Sequence, residues 1–106
     1  MKITIYKKSG KELVSGDYES IKDVVRSNKD NLKDADLRNA DLRGAFLYDA
    51  NLEGADMRNA KLKGADLRNA NLQHTILQGT NLQNAKLEGA KLEGAKLWGA
   101  TGIPKN

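Results

Sequence analysis

The chain has no cysteine and only one histidine, His74, among its 106 residues. The absence of cysteine excludes disulfides, thiolate zinc sites and a cysteine nucleophile, and a single histidine leaves little for metal ligation or acid–base catalysis. The carboxylates of Asp36 and Asp56 are predicted to stand exposed beside arginines, with no pocket around them. Since no phosphate-binding loop or metal-ligand spacing occurs either, we expect no enzymatic activity, no metal and no cofactor, and interpret His74 as a turn residue.

Aromatic residues and long apolar runs are also scarce. Aromatics make up 5% of the chain, with one Trp and one Phe, so a conventional aromatic-rich core is disfavoured. No apolar run approaches the roughly 18 residues of a membrane span. The N-terminal segment MKITIYKKSGKEL has no apolar signal-peptide region. The sequence therefore predicts one soluble, cytoplasmic domain.

What the sequence does contain is a five-residue repeat over residues 30–99. One large apolar residue, leucine except for Met57, recurs at every fifth position from Leu32 to Leu97, which makes fourteen repeats without an insertion. On an α-helix a period of five would place successive leucines at different angles around the helix axis, so they would not form an apolar stripe. On a flat strand the same period would place successive leucines on alternate faces. The repeat is therefore neither a helix nor a plain strand. The short Ala-x-Leu unit can nevertheless be extended if the chain turns a corner before the next unit.

The residue two positions after each central apolar residue supports such a corner. It is Gly seven times, Asn four times, Asp twice and His once, and these types tolerate a positive φ or tight turns best. A chain of short extended sides and corners coils. The five-residue period and the corner residues by themselves permit either three or four sides per coil.

The repeats ADLRN (35–39), ADLRG (40–44), ANLEG (50–54) and AKLEG (85–89) resemble the pentapeptide-repeat family, whose pattern is A(D/N)LXX. The resemblance implies an all-β solenoid: a right-handed quadrilateral β-helix with four repeats in each coil and about 3.5 coils. It also implies that the leucines and the small alanines point inward.

The two ends do not repeat. Residues 1–29 are predicted to form a cap that covers the first coil, with a β-hairpin around Ser9–Lys11 and a short α-helix from a capping box at Ser20 to about Asn28. Similar lead-ins in short family members suggest a bacterial or phage source. Residues 100–106 form a thin C-terminal tail in which Ile103 and Pro104 could cover the last coil. Because some family members dimerise through their C-termini, we expect a homodimer through this end, although the added helix of those members is missing.

Counting in steps of twenty assigns the outward residues to faces and yields two candidate sites. Phe46 and Tyr48 point outward together, so we expect the N-terminal cap to dock on them. Ile76 and Trp98 share a face one coil apart and, with Ile103, form a candidate patch for an unknown protein partner.

The charges of the repeats are predicted to neutralise one another. Three aspartate–arginine pairs with members two positions apart fall on the same side of the coil: Asp36 and Arg38, Asp56 and Arg58, and Asp66 and Arg68. One basic cluster, which consists of Arg38, Arg43, Arg58, Lys61 and Lys63, could contact phosphate, but it is interleaved with acids and has no aromatic residue for stacking. We therefore expect no nucleic-acid binding.

Three functions follow for such a chain. We favour a protein-interaction or scaffold module of unknown specific role. The alternative is that it mimics DNA and modulates bacterial DNA gyrase, as some family members do, but those members resemble long, dimeric, acidic rods. A third reading, a phage accessory protein that modulates a host factor, cannot be separated from the first by sequence.

Overall fold

The computed structural model describes residues 1–103 and begins with the predicted cap. Strands β1 (Lys2–Tyr6) and β2 (Glu12–Asp17) pair antiparallel, with Ile3 opposite Gly16 and a register shift between Ile5 and Tyr6. Helix α1 (Ile21–Ser27) follows, and a 3-10 turn spans Lys29–Asn31. The hairpin and the short helix predicted for this segment are thus confirmed.

Helix α1 begins and packs as its sequence indicates. The Ser20 side chain accepts a hydrogen bond from the backbone N–H of Asp23 and so caps the helix. Val24 and Val25 are fully buried, and Ile5 of β1 is almost so. Since seven residues cannot hold a helix in water by themselves, α1 depends on this burial against the solenoid.

From Ala35 onward the chain coils, and residues twenty positions apart pair in parallel. Asp36 pairs with Asp56, Asp56 with Ile76, and Ile76 with Lys96. The three other sides of the coil pair with the same offset, so each coil contains four pentapeptides. Pairing continues as far as Thr101, two residues beyond the boundary predicted at residue 99.

Each corner is a tight turn whose third residue has a positive φ. In the turn Leu37–Ala40 the N–H of Ala40 donates to the carbonyl of Leu37, and Asn39 has a φ of 62°. This combination is the type II turn, which requires a positive φ at its third position. All fourteen predicted corner positions have a positive φ, between 59° and 75°, which confirms the interpretation of the repeat.

The interior is a stack of leucines with alanines beside them. The central residues from Leu32 to Leu82 are at most 1% exposed. Full burial of one such side chain contributes roughly 1.5–3 kcal/mol before chain entropy is subtracted. Thr75 and Thr80 replace alanine in this interior, and their hydroxyls donate to the carbonyls of Leu72 and Met57 at 2.8 Å. Each of the two buried hydroxyls therefore has a hydrogen-bond partner.

The Asp or Asn before many of the leucines satisfies the backbone. The N–H of the residue after leucine makes no bond to a neighbouring coil, and in seven repeats a side-chain oxygen two residues earlier accepts it. Asn71 accepts from Gln73 at 3.0 Å, and Asp66 accepts from Arg68 at 3.2 Å. The remaining cases are Asp36, Asp41, Asn51, Asp56 and Asn81. This bond gives the D/N preference of the repeat a physical cause.

The hairpin also pairs with the lower edge of the solenoid. Lys7 forms an antiparallel bridge with Ala35, and the N–H of Asp36 donates to the carbonyl of Tyr6 at 2.7 Å. Unpaired backbone groups at a solenoid end are costly and invite association. The first coil is protected from both consequences by the cap.

Candidate functional site

The outer faces carry four aspartate–arginine pairs. Each arginine extends back to the aspartate two residues earlier and donates to both carboxylate oxygens at 2.6–2.9 Å. The pairs are Asp36–Arg38, Asp41–Arg43, Asp56–Arg58 and Asp66–Arg68. The predicted neutralisation within the coils is thus confirmed, and the Asp41–Arg43 pair joins the predicted set.

These contacts keep the carboxylates ionised. The Arg68 side chain lowers the pKa of Asp66 to about 2, and the hydrogen bond from Arg43 holds the pKa of Asp41 still lower. The Arg38 side chain likewise holds the pKa of Asp36 below its ordinary value. Carboxylates bound in this way are poor proton donors or acceptors near neutral pH.

The prediction that Asp36 and Asp56 stand exposed with no pocket around them is wrong. Both line a groove, Asp36 is partly buried, and Asp56 is buried. The Asp56 side chain is 7% exposed and lies between the guanidinium groups of Arg58, at 2.6 Å, and Arg38, at 4.0 Å. Burial opposes ionisation of Asp56, but hydrogen bonds from the Arg58 side chain and backbone outweigh it and keep the pKa below its ordinary value. The burial arises because coils above and below cover a middle repeat, which a single repeat read in isolation does not reveal.

The predicted partner patch lies where the solenoid approaches its C-terminal end. Trp98 is 83% exposed, which makes it the most exposed large apolar side chain in residues 1–103, ahead of Met1 at 81%. Ile103 is 39% exposed and Ile76 is partly buried. Ile76 also lines a groove of about 310 Å³ with Lys8 and the Asp36–Arg38 and Asp56–Arg58 pairs. One face thus combines paired arginines with exposed Trp, the residue types enriched at protein interfaces.

The C-terminal end is more open than the N-terminal end in the described part of the chain. Leu87, Leu92 and Leu97 are partly exposed, whereas Leu32, Leu37 and Leu42 are at most 1% exposed. Within residues 1–103 the N–H groups of Leu92 and Leu97 meet no further coil. Ile103 remains exposed beside this end, and Pro104, the other residue of the predicted lid, lies outside the described residues.

Phe46 and Tyr48, the predicted docking residues for the cap, are each contacted by one cation from it. The Arg26 guanidinium lies 5.1 Å from the centre of the Phe46 ring, and the Lys29 ammonium lies 4.4 Å from that of Tyr48. Lys29 also donates to the Tyr48 carbonyl at 3.1 Å. The rings nevertheless stay 57% and 47% exposed, so cations flank them without covering them.

His74 lies at a corner of the solenoid, where it was predicted as a turn residue. It occupies an exposed corner with a φ of 61°, and its ring lies against the backbone position of Gly94 one coil above. In residues 1–103 no three His, Cys, Asp or Glu side chains converge in a way that could hold a metal ion. Over the same range, no helix is long and apolar enough to cross a membrane.

Sequence reasoning missed two features: the grouping of Lys22, Arg26 and Lys29 in the cap, and the backbone role of the repeat's Asp and Asn. The first had a signal in the helical spacing of Lys22 and Arg26. The backbone role was signalled by the position before leucine, where Asp and Asn replace one another. Both side chains carry an acceptor oxygen at the same place.

These features define a class: a β-solenoid repeat protein with one capped end. The family profile described as pentapeptide repeats matches residues 31–69 and 60–99, with eight copies. The chain therefore belongs to the pentapeptide-repeat family, as the resemblance indicated.

Several solved structures are similar to the chain. The pentapeptide repeat protein Rfr23 from the cyanobacterium Cyanothece 51142 is 44% identical, with 59% of this chain and 43% of Rfr23 covered and a TM-score of 0.57. HetL from Nostoc sp. strain PCC 7120, involved in heterocyst differentiation regulation, is 31% identical over 66% of this chain and 43% of HetL, with a TM-score of 0.38. The chain thus spans less than half the length of both proteins.

A third similar structure is more distant. QnrB1, a plasmid-mediated fluoroquinolone resistance protein, is 24% identical over 61% of this chain and 47% of QnrB1, with a TM-score of 0.25. Likeness at this distance carries no argument about function. No curated protein matches the chain.

Proposed function

We propose that the chain is a non-enzymatic protein-interaction module whose binding surface is the C-terminal end of the solenoid together with Trp98. The observation that carries the proposal is the contrast between the ends: the first coil is sealed by the cap, whereas Leu92 and Leu97 are partly exposed beside an 83% exposed Trp98. Exposed apolar surface of this kind typically marks an interaction site. We take the solenoid to be right-handed with about 3.5 coils, as the family implies.

The partner we propose first is a second copy of the chain, joined end to end. Such an interface would bury the partly exposed leucines at the C-terminal end of both copies. The N–H groups of Leu92 and Leu97 of one copy could then donate to backbone carbonyls of the other. The alternative partner is a different protein that covers the same end. A cytoplasmic location and a bacterial or phage origin stay predictions.

Modulation of gyrase by DNA mimicry is not favoured by the charges. A DNA mimic needs a surface of unpaired carboxylates in place of phosphates, but Asp36, Asp41, Asp56 and Asp66 are all bound to arginines. The net charge of the chain is +4. We expect no change in gyrase supercoiling at micromolar protein, and a dose-dependent inhibition would reinstate this alternative.

The proposed function is tested by sedimentation velocity. We expect the wild type to dimerise at concentrations up to about 100 μM, and Leu92→Glu or Trp98→Ser to remain monomeric. The control is Gln78→Ser, which lies in the column of Trp98 one coil below and should dimerise as the wild type does.

If the wild type is monomeric, a photo-crosslinking residue at position 98 distinguishes the second partner. In cells of the source organism it should yield one adduct that is absent when the same residue stands at position 78. A monomer that gives equal adducts from both positions would overturn the proposal.

A further inference from the structure

The arginine of the cap differs from the arginines of the solenoid. Arg38, Arg43, Arg58 and Arg68 each bind an aspartate through two nitrogens. Arg26 of α1 has no carboxylate within salt-bridge distance in residues 1–103, and its guanidinium lies beside the Phe46 ring. The positive charge of each of the four solenoid arginines is thus neutralised by an aspartate, whereas the positive charge of Arg26 is not.

Two lysines extend this charge into a basic stripe, defined here as Lys22, Arg26 and Lys29. Lys22 and Arg26 are four residues apart on α1, so their side chains share one face of the helix, where like charges repel. Neither lysine is paired with a carboxylate among the described residues. The acid nearest in sequence, Asp23, accepts a hydrogen bond from the Ser20 hydroxyl in the helix cap.

A notch lies between helix α1 and the solenoid, with charged residues on the helix side and small or aromatic residues on the solenoid side. Its volume is about 160 Å³, and its lining consists of Lys22, Asp23 and Arg26 on one side and Gly44, Ala45 and Phe46 on the other. Two exposed lysines belong to the next coil beside this corner: the N–H of Gly44 donates to the backbone carbonyl of Lys63, and Lys61 forms a parallel β-bridge with Asp41. A Cβ at Gly44 would meet nothing within 4 Å, so the corner is open to a ligand.

We infer that the notch and the basic stripe bind an acidic segment of a partner protein, with one apolar side chain of that segment seated against Phe46. Carboxylates of the segment would pair with the stripe on one side and with Lys63 on the other. This surface lies beside the cap, away from the C-terminal end, so the inference goes beyond the proposed function and can fail separately from it.

Two details favour a peptide over a nucleic acid. Arg26 already lies over the Phe46 ring, so a base could not stack on that face. Asp23 lines the notch, where its carboxylate could accept a hydrogen bond from a backbone N–H of a peptide, a donor that the phosphodiester backbone of a nucleic acid lacks. The notch also suits one side chain better than a base with its sugar.

Fluorescence anisotropy with defined probes tests the inference. The probe is a labelled nonapeptide of alternating Glu and Asp with a central Leu, titrated with the full chain at low ionic strength. We expect saturable binding that weakens with added salt. A peptide with central Ser, a thymidine dodecamer and vesicles of phosphatidylglycerol should each bind at least about tenfold more weakly.

Variants locate the site. Arg26→Gln and Phe46→Ala should each weaken peptide binding by about tenfold. Lys96→Gln changes the net charge as Arg26→Gln does but lies on another face, and should leave binding within about twofold of the wild type. Circular dichroism confirms that each variant is folded, and Phe46→Leu replaces Phe46→Ala if the latter is not.

Three results would overturn the inference: tighter binding of the oligonucleotide or the vesicles, equal binding of the Leu and Ser peptides, or equal losses in the Arg26→Gln and Lys96→Gln variants. Peptide binding that persists in Trp98→Ser would confirm that this surface is independent of the C-terminal end. Loss of peptide binding in that variant would contradict the placement of the site.

Discussion

At the residue scale, two positions of the repeat are fixed by the backbone more than by side-chain packing. The corner residue must adopt a positive φ, which Gly, Asn, Asp and His supply at all fourteen corners. The residue before leucine supplies an oxygen for an N–H that no coil satisfies, as Asn71 does for Gln73. Where Phe, Lys or Ile stands there instead, that side-chain oxygen is missing and the coil still forms. The surface can therefore vary while the coil persists.

The corner glycines should differ in their tolerance of alanine. Gly64 and Gly79 have nearly equal φ angles, 71° and 72°, so left-handed strain costs both variants roughly 1–2 kcal/mol. A Cβ at Gly64 meets nothing, whereas one at Gly79 overlaps Oδ1 of Asn59 one coil below. We expect Gly79→Ala to lose about 1 kcal/mol more than Gly64→Ala in urea unfolding.

Asn59→Gly should rescue this difference, because the overlapping oxygen is then removed at a corner where glycine is suited. The rescue is measured as the stability of the double variant relative to Asn59→Gly alone. Equal losses in the two single variants would show that strain alone sets the cost.

At the element scale, the coil and the cap were predictable for different reasons. The leucine period and the corner types indicated coiling because both are local constraints, and the Ser20 box and the valine spacing indicated α1 for the same reason. The number of sides needed either the family or the pairing of Asp36 with Asp56. Burial of Asp56 and the position of Arg26 over Phe46 were not predictable, since both depend on how distant segments stack.

Individual leucines should contribute according to their coil. Leu62 is fully buried in the middle of the solenoid, and Leu92 is partly exposed near the C-terminal end. We expect Leu62→Ala to reduce the free energy of unfolding by about 2–5 kcal/mol and Leu92→Ala by less than half of that. Urea titrations at a concentration where the chain is monomeric measure both, and equal losses would contradict the burial gradient.

At the scale of the whole molecule, charge is divided between two regions with different behaviour. Residues 1–29 hold seven Lys and Arg against four Asp and Glu, and residues 30–106 hold eleven against ten. The solenoid neutralises its arginines internally, whereas Lys22, Arg26 and Lys29 of the cap have no carboxylate within salt-bridge distance in residues 1–103. A rigid scaffold with one capped end and charge concentrated beside that cap offers two distinct surfaces, one apolar at the C-terminal end and one basic next to α1.

The internal pairs should make the stability of the molecule sensitive to acid. Asp36, Asp41, Asp56 and Asp66 all have a pKa below 3.8 in the folded state, with that of Asp66 at about 2. A carboxylate whose pKa is lowered by folding stabilises the native state above its unfolded pKa, and this contribution is lost as the pH falls through the folded pKa. We therefore expect the urea midpoint to be steady above about pH 5 and to fall between about pH 4 and pH 2.

A variant with the same net charge distinguishes the contribution of the four aspartate–arginine pairs to this acid sensitivity from the contribution of the other acidic residues. Replacing the four aspartates by Asn and their four arginines by Gln keeps the net charge at +4 and retains the side-chain oxygens that accept the backbone N–H groups. Its urea midpoint should decline less steeply below pH 4 than that of the wild type, because the lowered pKa values are gone. Since the arginines are about half exposed, water screens each pair and the difference should be modest. Parallel declines in the two proteins would assign the acid sensitivity to the remaining carboxylates and leave the pairs with no role in stability.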